Sequence, residues 1–351
     1  MKLARFGYNL RYAFRWRKPK LLLRIVRAYA DLMLRRRQPL RYVDLNVGLA
    51  CNLRCKHCFA ENFKVRGQME LSGAEWRDVL DQCIDLGIVA VAYTGGEPLV
   101  HPRLYDLIRN GRPGELLVIV CTNGTLLTPD RAARLKDAGV DIVQMSVDSG
   151  LAGEHDAFRG MAGAFAATQR SFDIAREAGL LVAAVPTVSH RNLRTEGFRA
   201  LVEWARREDI LVNLSMASPV GNWAGNEDCL LTPDDLAFLN DLVARTPHVR
   251  RDFETNFWQL GCGAATEKLY FTPFGDVVPC PYMHISFGNV RQTPVREIRE
   301  KMLANRFLRG FAPACLVAEP GEFLDRYLPK ELLQDRPLPT AEEVFRAARP
   351  G

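Results

Sequence analysis

The chain has no serine before Ser72, no acidic residue but Asp31 in its first 41 positions, and no apolar run long enough to cross a bilayer. Each shortage excludes something. Arg24, Arg27 and Asp31 interrupt the apolar stretch from Leu21 to Leu34, which already falls short of the roughly 20 residues that a spanning helix needs. No small-residue cleavage site follows it, as an export signal would require, and an organellar presequence would be rich in serine. Fixed-period repeats are missing too. Cysteine is sparse and odd in number, nine in 351 residues, which fits reduced thiols in a cytoplasmic protein better than a disulfide framework. Clustered cysteines then need another explanation.

What is present is enough apolar residue, 48%, for a buried core, and enough length for one large α/β domain or two smaller ones. Charge is uneven. Residues 1–41 carry 13 Lys or Arg against Asp31 alone, a local +12; the whole chain carries +6, so the remainder is −6. With apolar residues at helical spacing, this segment reads as a basic amphipathic arm. It either touches a membrane surface or an anionic ligand, or packs on the domain with its arginines in water. Tyr8, Tyr12, Phe14 and Trp16 interleave with the arginines, but an acidic remainder would leave one helix to supply a whole nucleic-acid footprint, so no nucleic acid is expected.

From residue 42, short β-rich runs at 42–47, 88–94, 115–122, 141–147, 180–188 and 210–216 alternate with helical stretches. Ser72 with Glu75, and Thr128 with Pro129, mark helix starts. The expected fold class is α/β, a partial (β/α)6 TIM-like barrel over 42–247. After it, "KLYFTPFGDVVPC" reads as a hairpin with a Gly-Asp turn and "TPVREIREKML" as a helix, in a smaller C-terminal unit over 248–351. Barrels of this kind carry reactive groups on loops leaving the C-terminal strand ends. Cys51, Cys55 and Cys58, then "TGGEP", "TNG" and "SVDS", all fall on that rim.

Three thiols in a C-x3-C-x2-C array suit few ions. Zinc wants four ligands, and His57, beside Cys58, is poorly set to complete them. An iron–sulfur cube has four irons, so three cysteines leave one vacant, able to chelate an amino and a carboxylate group. The array resembles that of the radical S-adenosylmethionine (radical SAM) enzymes. That resemblance implies a 4Fe-4S cluster on Cys51, Cys55 and Cys58, an adenine-side aromatic at Phe59, contacts to the methionine from Gly95, Gly96 and Glu97, and a ribose or carboxylate contact from Ser146. It also implies an external one-electron reductant of the flavodoxin or ferredoxin type, and cleavage of S-adenosylmethionine to a 5′-deoxyadenosyl radical. Arg159 reads either as a carboxylate contact or as a surface ion pair.

Cys83 and Cys121 read as core thiols, and Cys229 has no evident partner. Cys262, Cys280 and Cys315 remain. "CGAATEKLYFTPFGDVVPC" resembles the opening of the SPASM or twitch extension of some radical SAM enzymes, which implies an auxiliary 4Fe-4S cluster. A C-x2-C pair commonly completes that site, yet here Ala318 stands three residues after Cys315. Either an open iron binds substrate, or Glu319 or another oxygen ligand fills the corner, or no cluster forms. By resemblance the activity is hydrogen abstraction from a small molecule, with a peptide substrate as the alternative and an electron carrier or redox sensor as the rival outside catalysis. Tyr282, Met283, His284 and Trp258 are candidate pocket residues.

Overall fold

The computed structural model describes residues 2–34, 38–64, 68–252, 261–328 and 338–347. In chain order its main elements are α1 Lys2–Ala13, α2 Pro19–Met33, β1 Tyr42–Asn46, α3 Gly73–Asp85, β2 Ala90–Thr94, α4 Leu104–Asn110, β3 Leu117–Thr122, α5 Pro129–Ala138 and β4 Ile142–Met145. There follow α6 Ala152–Arg159, α7 Ala164–Glu177, β5 Leu181–Ala184, β6 Thr187–Val188, α8 Glu196–Arg207, β7 Leu211–Met216, α9 Pro233–Arg245, β8 Val249–Arg251, β9 Lys268–Phe271, β10 Val277–Val278 and α10 Val295–Ala304. β1, β2, β3, β4, β5 and β7 pair side by side, all parallel, as the partial barrel requires.

The start signals act as expected. Ser72 and Glu75 form a reciprocal capping box on α3, and the Thr128 side chain accepts from the Arg131 amide at the head of α5. The run 180–188, expected as one strand, divides into β5 and β6. Pro186, between them, has no N–H to give the ladder. The arm, read as one helix, is two, with Pro19 at the first turn of α2.

Alternation along each strand sorts the residues into two rows. Val43, Leu45, Val91, Tyr93, Val118, Val120, Val143 and Met145 join one apolar cluster with Val79, Leu107, Leu135 and Phe172 of the surrounding helices. The other row faces the lumen. Its lowest layer, with Ala92, Ile119, Ile142, Ala183 and Leu211, packs against Tyr12 of α1. Higher up the row turns polar, with Asp44, Asn46, Gln144, Ser146, Asn213 and Ser215.

Docking of the arm explains much of its charge. Lys18 and Arg15 pair with Asp141, Arg24 with Glu115 and Arg11 with Asp209, while the Tyr12 hydroxyl donates to the Val182 carbonyl. The reading of a helix packed on the domain therefore holds for the inner face. At the other end of the chain, β9 pairs in parallel with β1 and turns back antiparallel into β10, the expected hairpin. β8 lies on the far side, parallel to β7. The Asp252 carboxylate after β8 and the Lys268 ammonium of β9 meet at 3.3 Å.

Candidate active site

The loop after β1 is tied to its neighbours before any ligand is considered. Gly96 N donates to Gly48 O and Glu97 N to Ala50 O, each at 2.8 Å. A Cβ on Gly95 would stand 2.4 Å from Gly48 O, and one on Gly96 2.4 Å from Ala50 O; Gly95 also has φ +151°. Both glycines are therefore demanded by the close approach of two backbones. Glu97 is buried and turned inward, accepting from Leu99 N at 3.0 Å, Thr122 Oγ1 at 2.6 Å and Asn123 N at 2.7 Å. It fastens the second rim loop to the third. Asn123 Nδ2 donates in turn to Asn52 Oδ1, which closes a ring of three loops around the cysteines.

Above this ring opens a cavity of about 600 Å3. Cys51, Cys55, Cys58, Phe59, Gly95, Gly96, Ser146, Arg159 and Tyr282 all line it. Glu97, expected beside the methionine, does not; its carboxylate serves the rim instead. Phe59 meets Tyr282 edge-on, with ring centroids 5.3 Å apart, and Tyr282 reaches Ser215 Oγ at 2.6 Å. Arg159 donates from Nε to Asp148 Oδ2 at 2.6 Å and from Nη1 to Cys55 Sγ at 3.8 Å. It is a buried partner of a thiol, a role that neither expected reading covered. His57 stacks on Phe158 at 4.1 Å, and burial lowers its pKa to about 3, so it is a neutral wall.

Burial pushes up the thiols of Cys51 and Cys58, with the amides of Leu53 and Ala60 pulling the other way. The protein alone does not make these groups thiolates; a bound cation would. Among the described residues, no three His, Cys, Asp or Glu side chains come close enough to share one metal ion. A cube offers a separate iron to each thiolate, so its ligands stand further apart than those of a single ion. Three soft sulfur donors on one cavity wall fit that group.

Deeper in the lumen lies Asp44, 8% exposed, which accepts from the Tyr42 hydroxyl at 2.6 Å. Burial raises its pKa to about 7; the Tyr42 bond and the Lys268 ammonium oppose this, and Asp252 adds to it. Cys121 also faces the lumen, 3.5 Å from Gln144 Oε1, which corrects the expectation of a core thiol. Cys83 is core, as expected, and Cys229 is buried.

Cys262, Cys280 and Cys315 converge on a second, small void of about 30 Å3, joined there by Met283, Tyr282, Asp252 and Lys268. Burial raises the Cys280 thiol to about 12 and Cys315 well above its ordinary value. At Lys268 burial lowers the pKa, but the acidic groups around it, Asp252 foremost, outweigh it and hold the ammonium charged. Glu319, expected as a ligand, is not on this wall; its Oε1 accepts from the Cys315 amide at 3.0 Å. His284 is fully buried against Phe63, away from both cavities, and Trp258 lies outside the described residues. Sequence reading missed Asp44, Asp252 and Lys268; Asp44 and Lys268 are charged residues within strands, whereas Asp252 lies just past the end of β8.

The curled sheet thus carries three thiols on its rim over the lumen and a second set of three beside it. The Radical SAM superfamily model matches residues 45–205, and that of an iron-sulfur cluster-binding domain, SPASM, matches 262–317. The AdoMet-dependent heme synthase of Nitratidesulfovibrio vulgaris is 30% identical over 291 residues, covering 74% of this chain and 79% of that protein. Mycofactocin maturase MftC of Mycobacterium ulcerans is 31% identical over 259 residues, 69% of each. Among solved structures, Streptococcus suis SuiB bound to precursor peptide SuiA superposes with a TM-score of 0.59 at 15% identity, over 79% of this chain and 67% of that one. Histidine-tagged anSMEcpe with bound AdoMet gives 0.59 at 17%, over 88% and 91%. The chain belongs to the radical SAM superfamily, in the branch with a SPASM domain, and its cofactors are 4Fe-4S clusters and S-adenosylmethionine.

Proposed function

We propose that Cys51, Cys55 and Cys58 hold a 4Fe-4S cluster with one iron open to S-adenosylmethionine, that Cys262, Cys280 and Cys315 hold a second, and that the enzyme oxidises a small molecule bound in the lumen between them. Tyr282 and Asp252 carry this reading, because both line the main cavity and the second void alike. When bound, the first cluster with S-adenosylmethionine supplies a 5′-deoxyadenosyl radical for hydrogen abstraction, and the second supplies an acceptor for one electron. A substrate carbon that gives up a hydrogen atom and then an electron must also release a proton. Asp44 Oδ2 is placed to take it, since Tyr42 donates to Oδ1 and the group faces the same cavity. Phe59, Gly95, Gly96 and Ser146 would form the wall against the adenosyl and methionine parts. Arg159, fixed by Asp148, would hold charge beside Cys55, while Glu97 keeps the rim loops in register.

Cys280→Ala separates the roles of the two clusters. Iron should fall from about eight to about four per chain. Formation of 5′-deoxyadenosine under dithionite should persist, while oxidised product falls by at least about 100-fold. Loss of 5′-deoxyadenosine as well would contradict the division of labour.

A peptide substrate is the second reading, favoured by the maturase relative and by SuiB with its precursor peptide. A deuterated cell extract, split into small-molecule and peptide fractions, decides between them. Deuterium should enter 5′-deoxyadenosine from the small-molecule fraction; entry from the peptide fraction alone sinks the preferred substrate class.

No described helix is long and apolar enough to cross a membrane. The outer face of α2, however, exposes Leu23, Val26 and Met33, with Leu34 and Trp16 at its ends and Arg17 and Arg27 alongside. An apolar stripe edged by cations complements an anionic lipid surface. The protein should sediment with phosphatidylglycerol vesicles, but not with phosphatidylcholine alone, and Leu23→Glu with Val26→Glu should cut the bound fraction at least about fivefold. Equal binding by the double variant would remove α2 from the contact.

A further inference from the structure

We infer that Asp252 supplies the fourth corner of the auxiliary cluster, a carboxylate where the sequence pattern leads one to expect a cysteine. Granted that Cys262, Cys280 and Cys315 hold a 4Fe-4S cluster, as proposed above, one iron has no thiolate. Ala318, where the cysteine is missing, has no donor and is buried at 1% exposure. Glu319 spends its Oε1 on the Cys315 amide and does not line the void. Asp252 is the carboxylate on that wall, facing the same small space as the three thiols.

Its placement is held from two sides. β8 is fixed to β7 through Val212, Asn213 and Leu214, and Arg250 Nε donates to Asn213 Oδ1, so the residue leaving β8 is aimed across the seam. There Lys268 Nζ bonds Oδ2 at 3.3 Å, while Oδ1 has no hydrogen-bond partner among the described residues. One oxygen is thus pinned and the other is left to bind. The Lys268 ammonium also offsets part of the negative charge that three thiolates and a carboxylate bring to one cluster. A carboxylate is a harder donor than a thiolate and suits cluster iron less well. The Asp252 corner is therefore the one most easily emptied. With that corner occupied, the substrate stays in the 600 Å3 cavity on the other side of Tyr282, and the cluster acts as an electron relay across that wall.

The test uses the full chain carrying Cys51→Ala, Cys55→Ala and Cys58→Ala, so that only the auxiliary cluster can form. Reconstituted under anaerobic conditions, this background should hold about four irons. Adding Asp252→Ala should lower the content to about three after mild oxidation and bring up the electron paramagnetic resonance signal of an oxidised three-iron cluster. Asp252→Cys should keep about four irons with a lower midpoint potential, and Glu319→Ala should match the background in both. Far-UV circular dichroism checks the fold. If Asp252→Ala and Asp252→Cys both keep the background's iron, spectrum and potential, or if the loss follows Glu319→Ala instead, Asp252 is not the ligand. A background that binds no iron overturns the auxiliary cluster itself, and this assignment with it.

Discussion

Gly96→Ala should lower 5′-deoxyadenosine formation by at least about 100-fold, although it adds only a single methyl group. The new Cβ would lie 2.4 Å from Ala50 O and 2.6 Å from Leu49 O, both backbone atoms immediately before Cys51. No flexible side chain can yield there. The cost, of the order of 1–3 kcal/mol or more, must be relieved by moving the cysteine loop away from β2. That displacement stretches the bonds from Gly96 and Glu97 to Gly48 and Ala50 and shifts the thiols relative to the rim. A shift near 1 Å at a positioned group typically costs about 100-fold in rate. Iron content and 5′-deoxyadenosine, measured on the same preparation, tell a lost cluster from a misplaced one. Normal values for both would show that the loop tolerates the methyl group and that the close approach has no functional weight.

Asp44→Asn should reduce product formation by about 100- to 10,000-fold while S-adenosylmethionine cleavage continues, because only the proton acceptor is removed. It should also stabilise the protein at alkaline pH. The wild-type carboxyl has a folded pKa of about 7, raised from its ordinary value by burial, with Tyr42, Cys121, Tyr270, Lys268 and Asp252 as its charged or titratable surroundings. A raised folded pKa means that the folded state binds the extra proton. Its contribution to stability is complete below the unfolded value and is lost as pH rises through about 7. The variant's melting temperature should therefore exceed the wild type's at pH 8, with the gap closing towards pH 5. Wild-type turnover should run the opposite way, rising with pH through about 7 as the base form appears. A variant with wild-type turnover, or a stability gap that does not vary with pH, contradicts this role.

Much of the barrel could be read from the chain because a parallel strand covered by helices needs an apolar row, and runs such as "LVIVCT" supply it. The hairpin was legible from Gly275 between two short apolar segments, and the thiol sets from their spacing. What escaped was the inner row. At Asp44 and Asn46, at Gln144 and Ser146, and at Asn213 and Ser215, polar residues alternate with apolar ones as they do on a strand facing water. Here the same pattern faces a buried lumen, and only the curl of the sheet tells the two apart. β8 escaped for a different reason: three residues, with two arginines, carry no strand signal until β7 is seen beside them. Glu97 was expected at the ligand, whereas two of its three inward hydrogen bonds come from a loop more than 20 residues away in sequence. Asp252 and Lys268 are 16 residues apart and pair only because β8 and β9 flank the same seam.

The losses of activity expected of Gly96→Ala and Asp44→Asn both require a cluster at Cys51, Cys55 and Cys58 with one iron left for S-adenosylmethionine. Electron paramagnetic resonance of that cluster alone, in a chain carrying Cys262→Ala, Cys280→Ala and Cys315→Ala and reduced with dithionite, puts it to a direct test. Adding S-adenosylmethionine should shift the signal's g values and lead on to 5′-deoxyadenosine. A signal unchanged by S-adenosylmethionine, in a protein holding about four irons per chain, would mean that every iron is already filled by the protein.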